Sequence, residues 1–315
     1  MRPEDGAGGG GGGGGGAAPS WSLIAAVSEL SRRLPASRWK QRGGRALAAT
    51  VARLGGSAVV PVTLRDGSIV VLDGRGRTEA EPFWTGTYEA DTVAFLLRCV
   101  AAYGGHVVDV GANVGLITIP LARAGATVTA VEPVPENAAR IRQSAYLSGV
   151  VDRVQVVEVA LGEAAGSVTM VRDDGMGAAT GNALDAAIVA GPGGRRAVVT
   201  RARLDDLDLG RVDVMKLDVE GSELLVLRGA TALLADQRPV IVAECNATLM
   251  PRYGHSFLDV AALLTPLGYR YFSFVSGTEL AEQDPREGLG DVVAVPDDKV
   301  ARLPARVRGK GSWTG

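Results

Sequence analysis

The run Val107-Val108-Asp109-Val110-Gly111-Ala112-Asn113-Val114-Gly115 places a carboxylate two residues before a glycine turn, at the end of an apolar stretch. Glycine turns the chain sharply and lets a ligand approach the backbone. A helix opening there offers free N–H groups. In an open α/β sheet, ligands bind at the carboxyl ends of the strands. The spacing is D-x-G-x-x-x-G, without the middle glycine of the dinucleotide fingerprint G-x-G-x-x-G. A carboxylate at Asp109 repels a pyrophosphate but suits the ammonium and sulfonium end of S-adenosylmethionine, directly or through water. Glu132 closes the next apolar run, in Val131-Glu132-Pro133, where an acid can accept hydrogen bonds from both ribose hydroxyls. Nicotinamide and methyl-donor cofactors share that ribose, so Glu132 supports an adenosine cofactor without choosing between them. Asp109, Gly111, Ala112, Asn113, Gly115, Glu132 and Pro133 are thus candidate cofactor residues. Ala160 and Leu161, at the end of a third run, are candidates for flanking the adenine. Set against this is a plain surface carboxylate at a strand end, but an acid in a buried apolar strand rarely stands without a partner.

A fourth run, Asp213-Val214-Met215-Lys216-Leu217-Asp218-Val219-Glu220-Gly221-Ser222-Glu223, gathers four acids and a lysine around one strand end. Lys216 and Asp218 alternate and face the same side, and charges in a buried strand are costly unless paired or functional. Asp218 is placed beside the reacting group, adjoining the cofactor, where it could orient an acceptor hydroxyl, take its proton or hold a cation. Lys216 joins it as a candidate catalytic residue. Glu220 and Glu223 have an equal structural reading, since acids in a first helical turn favour the helix dipole. A fifth run ends Ala243-Glu244-Cys245-Asn246. Asp218, Glu244 and Asn246 at neighbouring strand ends form a candidate Mg²⁺ site, against a hydrogen-bonded polar cluster without metal. Of the two histidines, His106 reads as structural. His255, in a loop after the fifth strand, is a candidate general base at neutral pH, against simple exposure.

These residues need a scaffold. Short apolar runs at Val107–Val110, Ala126–Val131, Val154–Val159, Val212–Leu217 and Val240–Ala243 alternate with helical patterns at Glu89–Ala102, up to Arg123, Pro135–Leu147, Ser222–Leu234 and Phe257–Leu267. Two late strands, Arg270–Val275 and Asp291–Val295, follow. Such alternation predicts a parallel sheet covered on both faces. Pro120 predicts a kink or a short first turn in its helix. Residues 1–19 read as a disordered Gly-rich tail. Residues 20–85 read as an N-terminal cap of helices and a β-hairpin around Asp66-Gly67. Residues 86–300 form the main domain and 301–315 a C-terminal tail. An insertion at about 164–203 has strands at Gly166–Arg172 and Ala197–Arg203. The loop 173–196 between them overhangs the site or is disordered.

The chain has 315 residues, 46% of them hydrophobic, enough for a substantial core. Its formal net charge of -2 gives no strong field for nucleic acid or anionic membrane. Two cysteines in apolar stretches and no export signal fit a reducing cytoplasm, and no apolar run approaches a membrane span. The oligomeric state stays open, a homo-oligomer included.

The sequence resembles the FkbM-type family of S-adenosylmethionine-dependent methyltransferases. The matching stretches are Tyr88-Glu89, VVDVGANVGLITIPLA, AVEPVPENAARIR, VALGE, LDDL, VDVMKLDVEGSELLVLRGA and DVVAVP, over about residues 86–296. The resemblance implies a Rossmann-like class I sheet of seven strands, order 3-2-1-4-5-7-6, with the last strand antiparallel. It also implies O-methylation of a hydroxyl on a small molecule, often a sugar, glycoside or secondary metabolite. By position, Asp109, Gly111, Asn113 and Gly115 match the first cofactor motif, Glu132 the ribose acid and Asp218 the fourth-strand acid. The rivals are a nicotinamide-dependent oxidoreductase and a non-catalytic member of the fold. A nucleic-acid methyltransferase is opposed by the charge balance and by the absence of an Asn/Asp-Pro-Pro-aromatic tetrad.

Overall fold

The computed structural model describes residues 59–74, 76, 78–172, 195–287 and 290–308, together with positions 29, 30, 43 and 50. The Gly-rich tail, nearly all of the two expected cap helices, residues 173–194 of the expected loop and the last seven residues lie outside the described residues.

The chain enters through a hairpin, β1 (Val59–Thr63) and β2 (Ile69–Asp73), paired antiparallel around the Asp66-Gly67 turn. Two helices follow, α1 (Ala80–Thr85) and α2 (Ala90–Tyr103). Then come β3 (His106–Val110), α3 (Thr118–Arg123), β4 (Thr127–Val131), α4 (Pro135–Leu147), β5 (Val154–Val157) and β6 (Ala160–Leu161). The insertion contributes β7 (Gly166–Arg172) and β8 (Arg195–Ala202). The second half runs β9 (Val214–Leu217), α5 (Glu223–Arg228), α6 (Thr231–Asp236), β10 (Val240–Glu244) and α7 (Phe257–Leu264). It closes with β11 (Tyr269–Ser276), β12 (Glu279–Glu282), β13 (Asp291–Pro296), α8 (Asp297–Val300) and β14 (Val307–Arg308).

The main sheet has the order β14-β12-β11-β13-β10-β9-β3-β4-β5. Strands β5, β4, β3, β9 and β10 run parallel, and β13 enters antiparallel between β10 and β11. The implied seven-strand order therefore lies inside a sheet of nine. The excess is β12 and β14, two short strands that extend the β11 edge. Successive residues point to opposite faces, and both faces are covered. Val107, Val128 and Val214 pack with Phe95, Leu96, Ile119 and Ile141 on one side. Val108, Met215 and Ile241 pack with Leu224, Leu227 and Val260 on the other.

Three expected elements differ. The strand read as Val154–Val159 leaves the sheet after Val157, because Ala160 and Leu161 pair instead with Arg201 and Ala202 in a separate three-stranded sheet, β6-β8-β7. The helix read as Ser222–Leu234 breaks into α5 and α6 at Gly229. A Cβ there would lie 2.1 Å from the Gly162 carbonyl oxygen, and Asp205 caps the new start by accepting the Ala232 and Leu233 N–H groups. The first-motif helix begins only at Thr118, so Pro120 falls in its first turn, where a missing N–H costs little.

The hairpin is fastened to α4. Ser144 Oγ and Ser148 Oγ accept the Val71 and Ile69 N–H groups at 2.9 and 2.8 Å. Arg140 donates to the Val71 carbonyl and pairs with the fully buried Glu79. Burial pushes the Glu79 carboxyl upward, against the pull of Arg140. Among the described residues, no helix is long and apolar enough to cross a membrane.

Candidate functional site

Strand order reverses between β3 and β9, with β4 and β5 leading one way and β10 the other. This switch point is where an open α/β sheet leaves a crevice at its carboxyl ends. A cavity of about 250 Å³ lies there. From the first half it is lined by Asp109, Gly111, Ala112, Asn113, Glu132 and Pro133. Ala160 and Leu161 form a further wall, and Lys216, Asp218 and Glu244 line it from the second half.

Each polar group has an identifiable hold. Asp109 is 2% exposed and accepts the Thr118 hydroxyl at 2.6 Å. It is the register partner of Lys216 across β3 and β9. Burial raises its carboxyl to about 6, with Thr118 and Lys216 working against that rise. Glu132 accepts the Val134 and Asn113 N–H groups, each at 2.9 Å, and the Asn137 amide at 3.4 Å. Burial outweighs these bonds and raises it to about 7. Lys216 is buried, and its Nζ lies 3.7 Å from Asp218 Oδ2. Burial opposes the lysine's charge, but Asp218, Glu89, Asp109 and Glu244 outweigh it and raise its pKa.

Gly111 carries a positive φ of 80°. A Cβ there would lie 1.9 Å from the Asp218 carbonyl oxygen, so the two strand-end loops touch through backbone. Gly115 does not line the cavity; it turns the chain at φ 88° beneath Ile119 and Ile141. Three non-glycine residues with positive φ, Glu89, Asn113 and Glu220, stand around this one site, and backbone strain of this kind gathers at functional sites.

Two of the expected site residues, His255 and Asn246, lie outside the cavity lining. His255 does not reach the cavity. It is 8% exposed, its Nε2 is bonded to the Gly221 carbonyl at 2.8 Å, and its ring lies near Tyr253. The ring fastens the loop to the turn after β9 and is not placed to take an acceptor proton. Of the three expected Mg²⁺ ligands, Asp218 and Glu244 line the cavity and Asn246 does not. Asn246 Oδ1 already accepts the Thr248 and Leu249 N–H groups, which turns it into its own loop. Among the described residues, no three His, Cys, Asp or Glu side chains are grouped to hold a metal ion. His106, read as structural, bonds the Arg211 carbonyl and the Thr129 hydroxyl.

Residues outside the expected catalytic, cofactor and metal sets also line the cavity. Tyr88 does so from the turn before α2, with Thr78 ahead of α1, Met170 from β7, and Glu220 and Ser222 from the turn after β9. Burial and the charges of Glu89, Asp218 and Glu244 push the Tyr88 hydroxyl far above the usual phenol range, so it stays a donor. Tyr88-Glu89 stood out only within the family resemblance, because the segment precedes every strand that frames the site.

The model of the methyltransferase FkbM domain family matches residues 109–271, a little more than half of the chain. A 64-residue stretch is 44% identical to a ubiquinone biosynthesis O-methyltransferase of Methylocella silvestris, covering 20% of this chain and 25% of that one. The match thus spans about a quarter of that relative's length. Among solved structures, a methyltransferase FkbM from Methylobacillus flagellatus KT aligns with a TM-score of 0.42 at 16% identity, over 60% of this chain and 43% of the other. The magnesium protoporphyrin IX methyltransferase of Synechocystis PCC 6803, solved with S-adenosylmethionine bound, aligns with a TM-score of 0.39 at 16% identity, over 66% and 79%.

Proposed function

The chain belongs to the FkbM methyltransferase family, and on that premise we propose that it moves a methyl group from S-adenosylmethionine to a hydroxyl of a small molecule, of the sugar, glycoside or secondary-metabolite kind. One observation carries the cofactor choice. Among the described residues, the cavity is lined by Asp109, Glu132, Asp218, Glu220 and Glu244 against a single basic side chain, Lys216. That set suits an uncharged ribose and a cationic sulfonium end. It repels the diphosphate of a nicotinamide dinucleotide, which disfavours the oxidoreductase alternative.

When bound, S-adenosylmethionine supplies an electrophilic methyl whose leaving group is a neutral thioether. The residues of the chain bind and align. Glu132, held by two backbone N–H groups and Asn137, takes the ribose hydroxyls. Asp109, fixed by Thr118, faces the ammonium end. Ala160 and Leu161 flank the adenine, with Pro133 beside them. Asp218, steadied by Lys216, orients the acceptor hydroxyl. Alignment of nucleophile, carbon and sulfur is the main contribution of such a site. Thr78 and Met170 reach the cavity from outside the matched core strands, so the cap at 20–85, ahead of a methyltransferase domain of 86–300, and that domain's insertion at about 164–203 are assigned to acceptor choice.

Calorimetry with S-adenosylhomocysteine and with NAD(P)(H) tests this reading. The expected result is binding of the first alone, abolished in Asp109→Ala. Binding of the nicotinamide cofactors alone, or normal S-adenosylhomocysteine affinity in Asp109→Ala, would refute it.

A further inference from the structure

We propose that Glu244 is the general base of the transfer, taking the proton of the acceptor hydroxyl; this rests on the methyltransferase reading above. Asp109 and Glu132 sit at the ends of β3 and β4, so a cofactor held by them fills that half of the cavity. The other half lies over β9 and β10. Ala243 of β10 is paired with Leu217 of β9, which sets the next residues, Glu244 and Asp218, side by side at the cavity wall.

The two carboxylates are not equivalent. Asp218 is engaged by the buried Lys216 ammonium, which suits it to orient a hydroxyl more than to capture a proton. Glu244 is half-buried, and among the described residues no group donates a hydrogen bond to its carboxylate or forms an ion pair with it. Its lone pairs are available to an acceptor. The groups that face it come from every neighbouring element. Asp218 and Lys216 belong to β9, Glu220 to the turn after it, and Asp291 is its register partner on β13. Tyr88 faces it from the turn before α2, with its hydroxyl bonded to Glu89. Burial and the charge of Asp218 raise Glu244 to about 7, with Asp291 and Glu220 adding and Lys216 opposing. A base near the working pH is the effective one.

The step balances. The acceptor O–H bond breaks and its proton passes to a Glu244 carboxylate oxygen. The oxygen's electron pair forms the new O–CH₃ bond, and the C–S bonding pair returns to sulfur, giving the neutral thioether. Glu244 then releases its proton to solvent.

Three measurements on the full chain and on Glu244→Gln and Glu244→Asp test this. S-adenosylhomocysteine affinity of the wild type by calorimetry reports on the methyltransferase reading alone; no binding there would indict that reading and not the base. Infrared difference spectra of the S-adenosylhomocysteine-bound protein should show a carboxyl band that titrates near neutrality and vanishes in Glu244→Gln. With methyl α-glucopyranoside and cyclohexanol as acceptor probes, Glu244→Gln should release S-adenosylhomocysteine ~100-fold more slowly. It should also lose the acid limb of the wild-type pH profile, and Glu244→Asp should recover part of both. An infrared titration unaffected by Glu244→Gln overturns the assignment, and decides alone if neither probe is methylated. So does turnover in Glu244→Gln within about threefold of wild type with the limb intact.

Discussion

At Gly111 the backbone itself is part of the site. The residue sits at φ 80°, and an added methyl would meet the Asp218 carbonyl oxygen at 1.9 Å, an atom that cannot rotate away. Gly111→Ala must therefore part the β3 and β9 loops as well as adopt a conformation costing ~1–2 kcal/mol for an L-residue. We expect more than about 2 kcal/mol lost in urea unfolding, together with loss of S-adenosylhomocysteine binding by calorimetry. Wild-type values in both would mean that the loops do not touch as described. The sequence makes this glycine, Asp109 and Glu132 legible because each ends an apolar run, and the period of two places Lys216 with Asp218. What it hides is long-range. His255 reads as a loop base until the Gly221 carbonyl claims its ring. Asn246 reads as a ligand until its own loop occupies its oxygen. Tyr88 comes from a segment whose spacing has no relation to the strands it faces, and the positive φ of Glu89 and Glu220, unlike that of Asn113, has no signature in residue type.

At the level of elements, one buried ion pair stands beside the Ser144 and Ser148 hydrogen bonds where the hairpin meets α4. Glu79 is fully buried, and Arg140 both neutralises it and donates to the Val71 carbonyl. Removing the arginine leaves a buried carboxylate alone, which costs about 3–5 kcal/mol. Arg140→Ala should lower urea stability by roughly 3 kcal/mol at neutral pH. The deficit should shrink in mild acid, because burial already pushes Glu79 towards its neutral form. A deficit independent of pH would show that packing, not charge, makes the contact. This pair is invisible in the sequence, since its partners lie far apart in the chain. The elements themselves were mostly legible: the helix Pro135–Leu147 and the strand Gly166–Arg172 form where periodicity and flanking residues place them. Misreadings fall where tertiary contacts override a local pattern. Gly229 breaks a continuous helical run because Gly162 presses against it, and Ala160-Leu161 desert the main sheet for β8.

For the molecule as a whole, the site sets a cost that depends on pH. Asp109 and Glu132 have ordinary values of 3.8 and 4.5, raised in the fold by burial to about 6 and about 7. A raised carboxyl binds its proton more tightly folded than unfolded, so the two groups favour folding below their ordinary values. That contribution is lost progressively as pH rises through about 6 and about 7. The ligand-free protein should therefore melt at a lower temperature at about pH 8 than at about pH 5.5, as far as these two groups govern it. A ligand whose ribose and ammonium donate to both carboxylates favours their ionised forms. Binding should then release protons, and affinity should climb with pH until about 7 and level off. The check is S-adenosylhomocysteine calorimetry across this range in buffers of different ionisation enthalpy. Proton release near pH 6.5 and a larger thermal shift at about pH 8 than at about pH 5.5 are expected. Affinity flat in pH, with no buffer dependence of the heat, would mean that neither acid holds the ligand. The acid-lined cavity would then have to owe its charge to the acceptor instead.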